Sequence, residues 1–445
     1  MNVSVVGTGY VGLVSGVCLA EKGHTVVCVD VDEDKVEKTN KGIPIIYEVD
    51  LEELLRKNVG RRFRATTDLR QAVLESDVSL IAVGTPYQGN EIDLGYIKEV
   101  SRQIGAVLRE KTTYHVVVVK STVVPGTTEE VVLPLLEEFS GKKAGVDFGI
   151  GMNPEFLREG AAVEDFMFPD RIVIGGIDEK TLDSMEELYN VFEGVDKVRT
   201  NPKTAEMIKY TSNSLLATMI SFSNEIGNLC SALGNIDVVD VMKAVHLDKR
   251  LCPFLPDGSR IVPHFTTYLE AGCGFGGSCF PKDVKALIAH GKKAGQSMSL
   301  LQSVIEVNEK QPLHVVDIVK KHFPDMRGLR LAVLGLAFKP GTDDLRESPA
   351  IPIVKELIAS GAVVQAFDPV AQGEAKKIFG DQQIVYTKNI LEALDRAEAV
   401  IVLTRWDEFA GLSNLLVDRN PPPLLVDGRR MMDKRQFARY TGIGL

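Results

Sequence analysis

Short apolar runs alternate with longer amphipathic stretches through residues 1–150. Val3–Val6, Thr25–Val29, Val78–Val83 and Val116–Lys120 are rich in Val and Ile, the pattern of strands buried on both faces. Gly7, Asp30, Gly84 and Ser121 stand at or just after their C-terminal ends. This predicts a parallel sheet covered by helices on both sides, with ligands bound beyond the carboxyl ends of its strands. Residues 203–233 hold no Pro and only Gly227, and Gly234 supplies a C-cap, so the stretch reads as one long helix. At roughly 30 residues and about 45 Å it exceeds the needs of a small domain. It is expected to connect domains and offer a subunit interface, its apolar residues serving core or dimer packing. From Leu329 the order of strand, turn, helix, strand and acid repeats in Leu331–Gly335, Pro349–Ser360 and Val363–Asp368. Val400–Thr404 and Leu424–Val426 add further strands.

Gly7-Thr8-Gly9-Tyr10-Val11-Gly12 follows the first strand and opens a helix, and Asp30 closes the second strand. A lone GxGxxG is weak; this context makes it a dinucleotide fingerprint. Gly7 permits the tight turn, Gly9 admits the pyrophosphate to the backbone, and Gly12 lets helix and strand pack closely. Tyr10 and Val11 belong to the helix N-terminus whose free N–H groups would face the pyrophosphate. Asp30 would accept from a ribose 2′-hydroxyl and repel a 2′-phosphate, so NAD is expected over NADP, with FAD the alternative. The second turn, Gly335-Leu336-Ala337-Phe338-Lys339, lacks this glycine spacing and is not expected to hold a second dinucleotide in the same way. The expected fold is α/β: two Rossmann-like doubly wound domains joined by a long central helix, divided at 1–200, 201–324 and 325–445.

Composition narrows the partners. The 445 residues carry 51 Lys and Arg against 61 Asp and Glu, a net charge of −10. That argues against a general nucleic-acid or membrane-surface binder but leaves room for a small anionic substrate held by a local basic cluster. No run reaches the length of a membrane span, and the N-terminus enters a strand without a basic leader, so a cytoplasmic chain with reduced thiols is expected. The six cysteines, Cys18, Cys28, Cys230, Cys252, Cys273 and Cys279, follow no metal spacing, and no metal is expected.

One cysteine has unusual neighbours: Gly274-Phe275-Gly276-Gly277-Ser278-Cys279-Phe280-Pro281-Lys282-Asp283. Glycines let a loop approach a ligand, and Pro281 suits the first position of a helix running to about His290. Cys279 would precede a helix N-terminus, where the dipole and Lys282 favour thiolate, with Asp283 one turn on. On these residues alone, a packing cysteine and a reactive one both remain open.

The decapeptide resembles the catalytic segment of the UDP-glucose 6-dehydrogenase family, within the wider UDP-glucose/GDP-mannose dehydrogenases. The resemblance covers nearly the whole chain, through Gly7–Gly12, Val83-Gly84-Thr85-Pro86, Ser121-Thr122-Val123, Asn153-Pro154-Glu155-Phe156-Leu157-Arg158-Glu159-Gly160, Glu206-Met207-Ile208-Lys209-Tyr210, Phe338-Lys339, Arg346-Glu347-Ser348 and Asp427-Gly428-Arg429. It implies that Cys279 attacks an aldehyde formed by a first hydride transfer, that a second transfer gives a thioester, and that water hydrolyses it. Lys209 and Asn213, at i and i+4 on the long helix, are implied to hold the reacting oxygen, and Asp283 and Glu155 to manage water and protons. Glu159 and Thr122 match residues near the nicotinamide, Lys35 one near the adenine ribose, and Thr85 and Arg346 cofactor contacts. Phe156, Leu157, Arg158, Tyr268, Gly276, Phe338, Lys339 and Arg429 match substrate positions. Without the resemblance, Lys209 and Asn213 would read as a solvated helix face, and Lys339 and Arg429 as surface charges.

The chain departs from the family between Val245 and Gly272. Leu247–Pro263 is lengthened and holds three prolines. The resemblance implies an arginine here that reaches a neighbouring subunit's substrate, with Arg260 the preferred match and Arg250 its rival. The residues Asp93–Ile97, Ser140–Gly149 and Gly341–Pro349 resemble GDP-mannose 6-dehydrogenases, whereas Thr404–Phe409 and Asp427–Arg430 resemble the UDP-glucose enzymes. The C-terminal domain should hold the base, so UDP-glucose is the expected substrate, GDP-mannose the alternative, and a homodimer or larger homo-oligomer the expected assembly. Short-chain epimerases need Tyr-x-x-x-Lys, which is absent from the sequence. A β-hydroxyacid dehydrogenase or an NAD-sensing regulatory protein would leave the thiol loop unexplained.

Overall fold

The computed structural model describes residues 1–89, 91–380 and 384–445. Its contacts divide the chain into two units, Met1–Ser212 and Asn213–Leu445.

In the first unit the Val-rich runs form the centre of an eight-stranded sheet. Its strands are β1 (Asn2–Val6), β2 (Thr25–Val29), β3 (Phe63–Thr66), β4 (Val78–Ile81), β7 (Val116–Val119), β8 (Gly149–Met152), β9 (Arg171–Gly176) and β10 (Asp196–Thr200); β5 (Tyr87–Gln88) and β6 (Glu91–Ile92) form a separate hairpin. Every residue of β4 and β7 is buried, as expected of strands covered on both faces. The order is β10-β9-β8-β7-β4-β1-β2-β3, so the chain reverses direction of winding at β1, between β4 and β2. That reversal opens the crevice where such sheets bind ligands. The predicted parallel sheet holds from β8 to β3, but β9 pairs antiparallel with β8 and carries β10 with it. A strand's own apolar pattern does not encode its direction; the connection does.

The second unit carries a six-stranded, wholly parallel sheet ordered β13-β12-β11-β14-β15-β16. These strands are β11 (Arg330–Leu334), β12 (Val363–Phe367), β13 (Val385–Tyr386), β14 (Ala399–Val402), β15 (Leu424–Asp427) and β16 (Tyr440–Gly442). Its first turn is closed from within. Asp368, just after β12, accepts from the Leu336 and Ala337 N–H groups and the Trp406 indole on one oxygen, and from the Val370 and Ala371 N–H groups on the other. The acid that would meet a ribose is thus committed to its own turn.

The predicted long helix spans Pro202–Leu233 and contains the boundary between the units. Leu215, Phe222, Leu229 and Leu233 remain exposed along it. Their spacing of seven, seven and four places them on one stripe. Among the described residues no helix is long and apolar enough to cross a membrane.

Candidate active site

In the first unit the glycine loop has the geometry of a ligand cradle. Gly7 has a φ of 101°, and a Cβ on Gly12 would lie 1.9 Å from the Gly7 carbonyl oxygen, so neither tolerates a side chain. A Cβ on Gly9 would meet nothing within 4 Å, so the loop faces open space there. The helix Tyr10–Glu21 that follows carries no side-chain cap, leaving first-turn N–H groups for an anion. Val11 is half-buried in that first turn. Asp30 accepts from the Thr8 backbone at 3.0 Å, from the Thr8 hydroxyl, and from the Asp32 N–H at 3.1 Å. Burial pushes its carboxyl up, but these bonds and the nearby Lys35 outweigh burial and hold it below the ordinary range. The residues present therefore fit a pyrophosphate and an unphosphorylated ribose. Thr85 donates its hydroxyl to the Thr122 carbonyl at 2.8 Å, tying together the loops after β4 and β7.

The segment after β8 brings several predicted residues together. Glu155 and Lys209 form an ion pair of 2.8 Å, with side chains only 5% and 4% exposed. Burial alone would raise the Glu155 carboxyl; Lys209, the Leu157 N–H and Lys120 hold it low instead. Phe156 lies beneath Lys209, 5.5 Å from its ring centre, and beneath the Arg171 guanidinium at 4.0 Å. Arg158 is forked onto Asp165, and Glu159 is half-buried beside it. The Gly160 N–H donates to both the Tyr10 hydroxyl and Glu48, joining this segment to the glycine loop's helix. Lys209 and Asn213 are both buried, so the solvated-face reading of that helix turn is overturned.

In the second unit Cys279 is the N-cap of the helix Phe280–Lys293. It is half-buried, whereas the other five cysteines are buried. Burial pushes the Cys18 thiol up to about 12 and raises Cys28 and Cys273 as well, so these are packing residues. One turn on, Asp283 is 1% exposed and accepts from Asn213 Nδ2 at 2.6 Å, while Lys282 donates to its other oxygen at 2.6 Å. Lys282, expected to favour the thiolate, is ion-paired with this adjacent carboxylate. The helix N-terminus adds positive potential beside the thiol.

The thiol loop is wedged against the turn after β11. A Cβ on Gly276 would lie 2.2 Å from the Glu347 carbonyl oxygen, and one on Gly277 would strike the Phe338 ring at 2.7 Å. Arg429, matched to a substrate position, donates here to the carbonyls of Leu403, Gly274 and Phe338, bracing strand end, thiol loop and turn together. Lys339 stands 5.6 Å from the Phe338 ring, and Tyr268 packs 6.4 Å from Phe280. Arg346 is forked onto Asp344. In the lengthened segment Arg260 donates to the Leu247 carbonyl and stacks 4.1 Å from the Phe254 ring, whereas Arg250 is forked onto Asp248 with its side chain 84% exposed.

Sequence reasoning missed the residues that hold the thiol loop. Asn224 accepts from the Gly272 N–H, Gln311 donates to the Gly272 carbonyl, and Asn308 both accepts from and donates to the Phe275 backbone. Their signal was polar side chains within otherwise apolar helix faces; Asn224 and Gln311 are buried and Asn308 half-buried because a loop's backbone groups need partners.

The UDP-glucose/GDP-mannose dehydrogenase family matches this chain in three stretches: its NAD binding domain at residues 1–193, its central domain at 203–310 and its UDP binding domain at 332–434. A UDP-glucose 6-dehydrogenase of Haloferax volcanii is 42% identical over 448 residues, covering 100% of both chains. A GDP-mannose 6-dehydrogenase of Pseudomonas aeruginosa is 41% identical, covering 99% of this chain and 98% of its own. The structure of a UDP-glucose dehydrogenase from Pyrobaculum islandicum superposes with a TM-score of 0.89 at 40% identity, covering 99% of this chain and 97% of that one.

Proposed function

The chain belongs to the UDP-glucose/GDP-mannose dehydrogenase family and is an NAD-dependent oxidoreductase, and we propose that it oxidises UDP-glucose twice at carbon 6, to UDP-glucuronate, through a thioester on Cys279. The observation that carries this reading is the half-buried Cys279 at a helix N-terminus, one turn before an Asp283 already bonded to Asn213. Bound NAD would supply the hydride acceptor for both oxidations. Lys209 and Asn213 stabilise the negative charge that develops on the reacting oxygen. The Cys279 thiolate adds to the aldehyde carbon; loss of hydride from the thiohemiacetal leaves the thioester. Water then adds to the acyl carbon and the thiolate departs, its proton balance managed by Asp283 and Glu155. Asp30 holds the ribose, and Arg429 keeps the substrate turn at Phe338 fixed against the thiol loop.

UDP-glucose is preferred because the match at 332–434 is to a UDP binding domain and because Thr404–Phe409 and Asp427–Arg430 follow the UDP-glucose enzymes. The Pseudomonas relative and the motifs at Asp93–Ile97 and Gly341–Pro349 favour the second reading, GDP-mannose with the same chemistry. Initial rates with the two sugars at equal concentration separate them. UDP-glucose is expected to be turned over at least about tenfold faster, a discrimination of about 1.4 kcal/mol. Faster turnover of GDP-mannose would reverse the assignment.

A further inference from the structure

The proposed reaction leaves the buried cation Lys120 unused. Lys120 follows the last residue of β7 and is 4% exposed. Its Nζ donates to Asn153 Oδ1 at 2.8 Å and stands 5.8 Å from the Phe166 ring centre. Asn153 cannot turn its oxygen away: its Nδ2 is tied to the Val173 carbonyl at 2.7 Å, and the same oxygen also accepts from the Tyr189 hydroxyl. The ammonium therefore rests on a locked, neutral amide. Removing a cation from water against a neutral partner is costly, and the arrangement calls for a compensating role.

The groups facing Lys120 are Glu155, from the segment after β8, Lys209, from the long helix, and the Tyr189 phenol, which shares Asn153 with it. Two ammonium groups and one carboxylate give this cluster a net charge of about +1, larger in effect than in water because the surroundings are dry. We propose that Lys120 is a positioning residue for the oxidation, its buried charge keeping Glu155 ionised against Lys209 and leaving a surplus positive potential for the developing alkoxide. The inference rests on the reading of Lys209 and Glu155 given above. Burial, with Lys209 adding to it and Glu155 opposing, pushes the Lys120 ammonium down to about 8. The charge is present below that pH and lost above it, so turnover should fall on the alkaline side.

The test uses the full chain with NAD and UDP-glucose, comparing Lys120→Met, Lys120→Arg, Glu155→Gln and Lys209→Met over about pH 6 to 10, a range that spans the titration of Lys120 at about 8. Lys120→Met is expected to lower kcat about 10- to 100-fold at neutral pH, as loss of a charge aimed at an oxyanion does. KM for NAD should stay within about twofold, the alkaline fall in kcat should vanish, and Lys120→Arg should recover part of the loss. A folded Lys120→Met enzyme with parental kcat, beside crippled Glu155→Gln and Lys209→Met, would overturn this inference alone. Parental activity in those two variants would overturn the reading beneath it. If Lys120→Met fails to fold, the parent decides: a kcat flat through pH about 8 to 10 contradicts the proposal.

Discussion

Replacing Cys279 with Ser is expected to reduce formation of the sugar acid by about 10³-fold or more while leaving the fold intact. The two side chains differ by one atom, and Cys279 is half-buried at a helix N-cap, a position where Ser is a preferred residue. Thermal stability should therefore be unchanged or slightly higher. The chemistry differs sharply. A thiol yields its anionic nucleophile far more readily than a serine hydroxyl, which supplies essentially no alkoxide at neutral pH. A serine ester is also a poorer acyl donor to water than a thioester. The assay is steady-state NADH formation, with product identified separately. Turnover within about threefold of the parent would remove Cys279 from the mechanism.

Lys209→Met is expected to fail in two separable ways. It removes a group proposed to hold the reacting oxygen, lowering kcat by about 10² to 10³-fold. It also strands Glu155, whose side chain is 5% exposed and whose ionised form depends on Lys209 first among its favourable partners. Removing one member of a buried pair costs about 3–5 kcal/mol, lessened here because Glu155 can take up a proton. The sign follows from the direction of the shift: in the parent, Glu155 is held below its ordinary value and contributes stability present above the unfolded pKa, and that contribution disappears as pH falls through the folded value. The variant should therefore lose its stability advantage at neutral pH more than in acid. Adding Glu155→Gln to Lys209→Met should restore much of the denaturation midpoint but none of the turnover. If the double variant recovered both, the pair would be structural.

What could be read from the sequence was what local chemistry writes into neighbouring residues. Gly7, Gly12 and Asp30 were legible because turn, close approach and ribose-facing acid all sit within one strand-helix-strand passage. Cys279 was legible as a candidate because its glycines and Pro281 are adjacent to it. The pairings were not. Lys209 meets Glu155, and Asn213 meets Asp283, only after distant segments come together, so each looked like an ordinary helix-surface residue. Lys120 read as the end of a strand and Arg429 as a surface charge rather than the brace of three carbonyls, while Asn224, Asn308 and Gln311 were not singled out. The reversal at β9 was hidden for the same reason: it is a property of connections, not of apolar runs.

The central claim is that one enzyme carries out both oxidations before releasing the sugar. The most direct measurement is the amount of NADH formed per UDP-glucose consumed, taken to completion with excess NAD and with the product analysed for a carboxylate. Two NADH per sugar and a nucleotide-sugar acid are the predicted result. One NADH per sugar, with aldehyde as the product, would contradict the thioester mechanism and the role given to Cys279.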